Sequence, residues 1–308
     1  MTIQLKAITS DVQAAPTPAF PALRGRQPCF SSTFEGDIQP GRLHLPVSPD
    51  CNIDCSFCMR DLNCSNQQPG SAYRVLTTDQ ALGIVERALQ HFPTLSVIGI
   101  AGPGDPLATN HALDTFAAVR ARWPQLSLCL STNGLMLPER VDQLAELGVE
   151  TLTVTVNAIE PTIQAQITPK ITWQRHRLDG VAAGERLIAN QLDGIARAAA
   201  LGLTIKVNTM LIPTVNEDHI GDVAAEVAAA GAQLITIVPL IPQHRFAHLP
   251  SPGLMKRYVA RAEAERHLRV FHDCTQCRAD ACGVRGLSDY VPELDGNALE
   301  AEPTFSHG

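Results

Sequence analysis

RLHLPVSPDCNIDCSFC, residues 42–58, decides how the rest of the chain is read. Its first half clusters apolar and β-branched residues as a buried strand does. Its second half places Cys51, Cys55 and Cys58 in the spacing C-x3-C-x2-C directly behind that strand. A strand that runs into a ligand-rich loop is the opening unit of an α/β fold whose site lies at the carboxyl ends of its strands. Three thiolates on one short loop can grip one face of a metal centre. A closed structural zinc site wants four protein ligands, whereas a four-iron cubane held by three cysteines leaves one iron free. A zinc knuckle completed from elsewhere in the chain is the competing reading.

Working outward, strand patterns recur at 43–48, 95–101, 126–130, 151–157, 203–208 and 233–239. Helical patterns lie between and after them, at 78–92, 111–122, 138–147, 184–200, 217–230 and 253–267. Thr77 or Thr78 suits a helix N-cap, and Gly148, Gly202 and Gly231 fall where helices end. This alternation predicts parallel strands joined by right-handed crossovers, closed as a doubly wound sheet or as a barrel. Polar and special residues gather just past the strands: Gly102, Gly104 and Asp105 after the second, Ser131, Thr132 and Asn133 after the third, Asn157 after the fourth. That regularity points to a working site.

Composition narrows the classes. The chain has 308 residues with a formal net charge of −7, so no basic field exists to hold nucleic acid. No apolar run approaches the roughly 20 residues of a membrane span. The first 20 residues lack the basic-then-apolar order of a secretory signal. A cytoplasmic protein is expected, and its nine cysteines then read as metal or redox ligands rather than disulfides. CTQC, with Cys274 and Cys277, sits beyond the last helix pattern; with the single cysteines near strand ends it could converge on the mouth of the fold.

The loop spacing, with Phe57 before the last cysteine, resembles that of radical S-adenosylmethionine enzymes. The resemblance implies that Cys51, Cys55 and Cys58 carry a [4Fe-4S] cluster whose free iron chelates S-adenosylmethionine. It also implies that the AGPGDP turn, with Gly102, Gly104 and Asp105, receives the methionine ammonium. Ser131, Asn133 and Asn157 are further expected contacts to the cofactor.

Longer segments narrow the family. RLHLPVSPDCNIDCSFCMRDLNCSNQQPGS (42–71), IAGPGDPLA (100–108), LCLSTNGLMLPE (128–139), LTVTVNAIEP (152–161), KVNTMLIPTVN (206–216) and CTQCRADACG (274–283) follow one another as in the NifB family of nitrogenase cofactor assembly. The resemblance implies an α/β partial (β/α)6 TIM-type barrel over 28–289, behind a flexible arm (1–27) and ahead of a disordered acidic tail (290–308). It implies a lyase- or transferase-type enzyme that fuses two [4Fe-4S] clusters around a carbide taken from a S-adenosylmethionine methyl group. Cys29, Cys64, Cys129, Cys274 and Cys277 would surround these auxiliary substrate clusters, and Arg278 and Asp280 would support the neighbouring cysteines. Implied partners are an iron–sulfur cluster donor, an electron donor such as ferredoxin, and a carrier or scaffold protein that accepts the product, since no NifX-like domain follows.

Departures from the family pattern keep an alternative open. Gln67 stands where a carboxylate is usual, no histidine lies between Cys29 and Arg42, and Cys282 replaces an apolar residue. Asp37 or Cys282 is then a candidate substitute ligand, while His44 reads as packing. The alternative is a divergent radical enzyme with an auxiliary cluster acting on a small molecule or peptide.

Overall fold

The computed structural model describes residues 27–30, 39–59, 71–274 and 277–284. Six parallel strands form its centre: β1 (Gly41–His44), β3 (Leu95–Ile100), β4 (Ser127–Thr132), β5 (Val149–Thr155), β8 (Thr204–Leu211) and β9 (Leu234–Pro239). They lie side by side in that order and curl into a partial barrel. Crossovers carry α1 (Thr78–His91), α2 (His111–Arg122), α3 (Leu137–Glu146), α5 (Gly180–Ala200) and α6 (Ile220–Ala229), and α7 (Leu254–Glu265) follows β9.

Local chemistry sets the boundaries. Thr77 caps α1 through a capping box, its hydroxyl accepting from Gln80 N while Gln80 Oε1 accepts from Thr77 N. Gly148, Gly202 and Gly231 follow α3, α5 and α6 at φ of 72°, 83° and 106°, as the sequence predicts.

Strand alternation divides the interior in two. Leu43, Ile98, Leu128, Leu152, Ile205 and Ile235 face the helices and join the main apolar core. Because successive side chains point to opposite faces, Arg42, His44, Gly99, Cys129, Lys206 and Thr236 face the inside of the barrel. TIM-type interiors are ordinarily filled by branched apolar residues; this one is polar.

Five elements escape the periodicity. β2 (Ile53–Asp54) lies inside the cysteine loop and pairs with β6 (Lys170–Trp173), which pairs in turn with β7 (His176–Asp179). α4 (Pro161–Ile167) precedes this hairpin. β10 (Cys282–Gly283) pairs antiparallel with β1 at one edge of the sheet. At the opposite edge Val270 bridges to Ile235, with Phe271 N donating to Ile235 O at 2.7 Å. The segment after α7 therefore touches both open edges of the barrel and carries Cys274, Cys277 and Cys282 with it. No helix among the described residues is long and apolar enough to cross a membrane.

Of the expected arm only Gln27 is described, and it is buried. The expected tail, Cys64, Gln67 and Asp37 lie outside the described residues.

Candidate active site

The cysteine loop is gripped from both sides. Ser56 N donates to Ile167 O at 2.8 Å and its hydroxyl to Gln166 O at 3.1 Å, tying the loop to the end of α4. Thr172 N donates to Asn52 O at 2.8 Å from β6. From the segment after β9, Gln243 Nε2 donates to Phe57 O at 2.8 Å, and Phe246 N donates to Ser56 O at 3.2 Å. The Phe57 ring packs with Ala158, Ile167, Ile212 and Leu240.

One open cavity at the strand ends is lined by Cys51, Cys55, Phe57, Cys58, Gly104, Asp105, Ser131, Asn133 and Asn157. The structure thus brings together nearly all the residues expected at the cofactor. Gly102 is not among its lining; its carbonyl accepts from Ser48 N at 3.4 Å, and it forms the cis peptide with Pro103. Gly104 lies so close to the strand leading into Cys51 that a Cβ there would stand 2.0 Å from Asp50 O, which excludes any side chain.

Asp105 lines this cavity with its carboxylate already engaged by neighbouring residues. It is 4% exposed, and its carboxylate is already held within the protein. Oδ1 accepts from Leu107 N at 2.9 Å, Oδ2 from Asn133 N at 2.6 Å, and the Thr132 hydroxyl donates toward both at 3.0 Å. It clamps together the turns after β3 and β4. Asn133, fixed by that clamp, donates Nδ2 to Asn52 Oδ1 at 2.7 Å and toward Cys51 Sγ at 3.7 Å. Asn157 Oδ1 accepts from Met210 N at 2.9 Å, which ties the end of β5 to β8.

Residues that the sequence reading passed over complete this cavity. Thr168 Oγ1 accepts from Gln164 Nε2 at 3.0 Å and lies 3.6 Å from Cys55 Sγ, to which it can donate when that sulfur is a thiolate. Gln191 donates to Asn133 O and Thr155 O, both at 2.8 Å. Buried glutamines on amphipathic helices were the available signal, because such groups must find partners.

A second cluster of thiols lies in the barrel interior. Cys29 and Cys129 pack against Phe30 and Leu234. Burial pushes the Cys29 thiol up; Lys206 and Arg42 oppose that, while Cys277 and Cys274 reinforce it. Cys129 is pushed up to about 11 by burial, with Cys29 adding to the effect. Arg42 Nη2 donates to Cys277 Sγ at 3.0 Å. Cys29 thus packs beside Cys129 and lies within electrostatic reach of Cys274, Cys277, Arg42 and Lys206. Arg278 forms a buried two-bond pair with Asp280 at 2.7 and 2.8 Å, and Asp280 also accepts from Tyr73 N at 2.8 Å. That clamp fixes the segment carrying Cys277 to the chain at residue 73.

Cys282 does not join them. It pairs with Leu43, is 1% exposed in the main apolar core, and burial raises its thiol to about 12. It lies on the helix-facing side of the sheet, which removes it as a substitute ligand. His44 does face the interior, its ring lying against Gly99. Burial, reinforced by Arg42, lowers it to about 4, so it is neutral; Nδ1 donates to Arg278 O at 3.0 Å, leaving Nε2 as an acceptor.

Comparison with known proteins agrees with this geometry. The Radical SAM superfamily matches residues 45–227. The FeMo cofactor biosynthesis protein NifB of Methanocaldococcus jannaschii is 39% identical over 259 residues, covering 83% of this chain and 85% of that protein. The chain belongs to the NifB family of radical SAM proteins. NifB of Klebsiella pneumoniae is 39% identical over 289 residues, and there the match spans 91% of this chain but 61% of the relative. A radical SAM methyltransferase from Sphaerobacter thermophilus (TM-score 0.54, 19% identity, 75% of this chain and 65% of that one) shares the fold. So does Streptococcus suis SuiB bound to S-adenosylmethionine (TM-score 0.56, 10% identity, 84% and 64%).

Radical SAM proteins use a [4Fe-4S] cluster and S-adenosylmethionine, and the residues at the strand ends of this NifB-family chain fit both. Three thiols face one cavity, two of them with hydrogen-bond donors in place. The Gln164 and Gln191 Oε1 atoms are buried without partners beside it. Among the described residues no three His, Cys, Asp or Glu side chains close on a point as they would around one metal ion. The thiolates of a cubane sit on separate irons and stand further apart.

Proposed function

We propose that this chain fuses two [4Fe-4S] substrate clusters into the iron–sulfur core of the nitrogenase cofactor, inserting a carbide derived from a S-adenosylmethionine methyl group. The observation that carries this reading is the gathering of Cys29, Cys129, Cys274 and Cys277 inside the barrel that bears the three-cysteine loop at its mouth. Soft thiolates suit iron–sulfur clusters.

When bound, the loop's cluster and S-adenosylmethionine supply a 5′-deoxyadenosyl radical. The protein's part is to position and exclude water. Cys51, Cys55 and Cys58 would hold the radical cluster, and Asn133 and Thr168 donate toward two of those sulfurs. Asp105 locks Asn133 in place. Cys29, Cys129, Cys274 and Cys277 would hold substrate clusters; the Arg278–Asp280 clamp supports the last of these. A cluster donor, a ferredoxin-type electron donor and a product-accepting carrier complete the proposed cycle.

Anaerobic reconstitution with iron and sulfide tests this. Iron beyond that of a single cubane, methyl label passing from S-adenosylmethionine into acid-labile cluster material, and 5′-deoxyadenosine release are expected. Iron that stops at one cubane per chain would reject the cluster-fusing role.

A further inference from the structure

The loop of Cys51, Cys55 and Cys58 has two sides. Its inner side lines the cofactor cavity. Its outer side is β2, which forms one edge of the small sheet β2–β6–β7. One face of that sheet is apolar: Ile53, Ile171, Trp173 and Leu178 pack with Leu135, Ala183 and Leu187. Side chains alternate along a strand, so Asp54, Lys170, Thr172, Arg177 and Asp179 share the opposite face. The register agrees, with Lys170 paired to both Asp54 and Asp179, and Thr172 paired to Arg177. The short 3-10 helix His244–Phe246 adds Arg245. Lys170, Arg177 and Arg245 line a surface cavity of about 280 Å³ together with Asn52, Ile53 and Asp54 of the cysteine loop.

The charge of this face runs against that of the chain. The sequence carries a net −7. Here Lys170, Arg177 and Arg245, with Arg175 at the adjoining hairpin turn, outnumber the carboxylates Asp54 and Asp179. Arg245 pairs with Asp54 at 2.6 Å and Arg177 with Asp179 at 3.0 Å, while no ion pair engages Lys170 among the described residues. Both arginines are exposed, so these pairs add little to stability and the surplus cations are open to a partner. A chemical need arises at the same place. Reductive cleavage of S-adenosylmethionine consumes one electron: the donor is oxidised by one electron, the carbon–sulfur bond breaks, and methionine and the 5′-deoxyadenosyl radical result. Asn52 follows Cys51 and Asp54 precedes Cys55. A protein seated on this face is therefore separated from the thiols of the loop by β2 itself.

We propose that the outer face of β2–β6–β7 is the docking surface for an acidic one-electron carrier protein, with Lys170, Arg177 and Arg245 receiving its carboxylates. This rests on the ferredoxin-type donor named under Proposed function and adds where that donor binds and by what charge. Electron-transfer encounters are brief and bury little surface, so opposite charge supplies their steering more than apolar contact does.

The test compares two reductants on the full reconstituted chain: a reduced acidic [4Fe-4S] ferredoxin, and photoreduced deazariboflavin, which is small and uncharged. Lys170→Glu and Arg177→Glu reverse charges on the face, and Arg122→Glu at the end of α2 controls for net charge. The readout is 5′-deoxyadenosine release, which needs the loop cluster alone and so stands apart from cluster fusion. At low salt each variant of the face should slow ferredoxin-driven release about tenfold, and the difference should close as salt rises. Deazariboflavin-driven release should match the parent in every variant, and Arg122→Glu should match it with both reductants. Independently of turnover, carbodiimide should join the Lys170 amine to a ferredoxin carboxylate at low salt and not at high salt, read as a cross-linked peptide by mass spectrometry. Equal ferredoxin-driven rates in parent and variants would overturn the proposal, as would cross-links confined to other lysines. An equal loss with both reductants would overturn it too, since the residues would then support the loop rather than a partner. A parent that deazariboflavin reduces and ferredoxin does not would reject the donor class itself, and this docking surface with it.

Discussion

Replacing Asp105 with Asn separates two roles that a carboxylate at this position could play. In the structure it is a clamp: two backbone N–H groups, Leu107 and Asn133, and the Thr132 hydroxyl all donate to it. An amide keeps one acceptor oxygen. If that oxygen serves Leu107 N, the new NH2 group faces Asn133 N–H, donor against donor. One buried backbone donor is then unpartnered, and the surviving bonds lose their charge assistance. With roughly 1–3 kcal/mol for an unsatisfied buried donor and a fraction of that again for the weakened bonds, the loss is about 2–4 kcal/mol. For a protein of this size that corresponds to a fall of about 3–7 °C in melting temperature. Thermal unfolding of the cluster-free protein measures it directly, with no cofactor present. S-adenosylmethionine binding to the reconstituted protein should weaken as well, because Asn133 loses its anchor beside Cys51. Should Asp105→Asn leave the cluster-free melting temperature within about a degree of wild type while cofactor affinity drops, the carboxylate is a ligand contact and the clamp argument is wrong.

Other perturbations probe separate parts of the molecule. His44 is lowered from 6.5 to about 4 in the folded state, so the unfolded chain binds the extra proton first as pH falls. Its contribution is complete above pH 6.5 and is lost down to pH 4, about 3 kcal/mol in all. Urea midpoints measured across that range should show this slope, and His44→Gln should flatten it. Cys282→Val should leave iron content unchanged and alter stability by less than about 1.5 kcal/mol, as a volume-conserving core change does; a loss of iron would restore Cys282 as a ligand. Thr168→Val removes the hydroxyl donating toward Cys55 Sγ, so a redox titration followed by paramagnetic resonance should find the loop cluster at a more negative potential. Asp280→Ala leaves a buried guanidinium without its carboxylate, a loss of about 3–5 kcal/mol readable by urea unfolding.

The strand–helix alternation was legible because each element advertises itself within a few residues. Strands at 95–100 and 234–239 and the helix His111–Arg122 follow from the spacing of apolar residues. The three-cysteine loop was legible for the same reason: its ligands lie within eight residues of one another. So was the clustering of Ser131, Asn133 and Asn157 near it, since parallel strands deliver their carboxyl ends to one rim.

Local pattern could not reach the features that depend on distant partners. That Asp105 holds Asn133, 28 residues on, is visible only in the fold. Cys282 looked like a ligand until its register with Leu43 turned it toward the helices. Arg42 and Lys206 were visible as charges on otherwise apolar strands, yet what they face is set by Cys277, 235 residues from Arg42, and Cys29, 177 residues from Lys206. The sequence by itself determined which segments become strands and helices and where the loop thiols sit, because short-range sterics and hydrophobic period decide those. Tertiary structure alone decided which buried polar groups are satisfied and by which partners, because a buried hydrogen bond or charge is defined by whatever the folded chain brings to it.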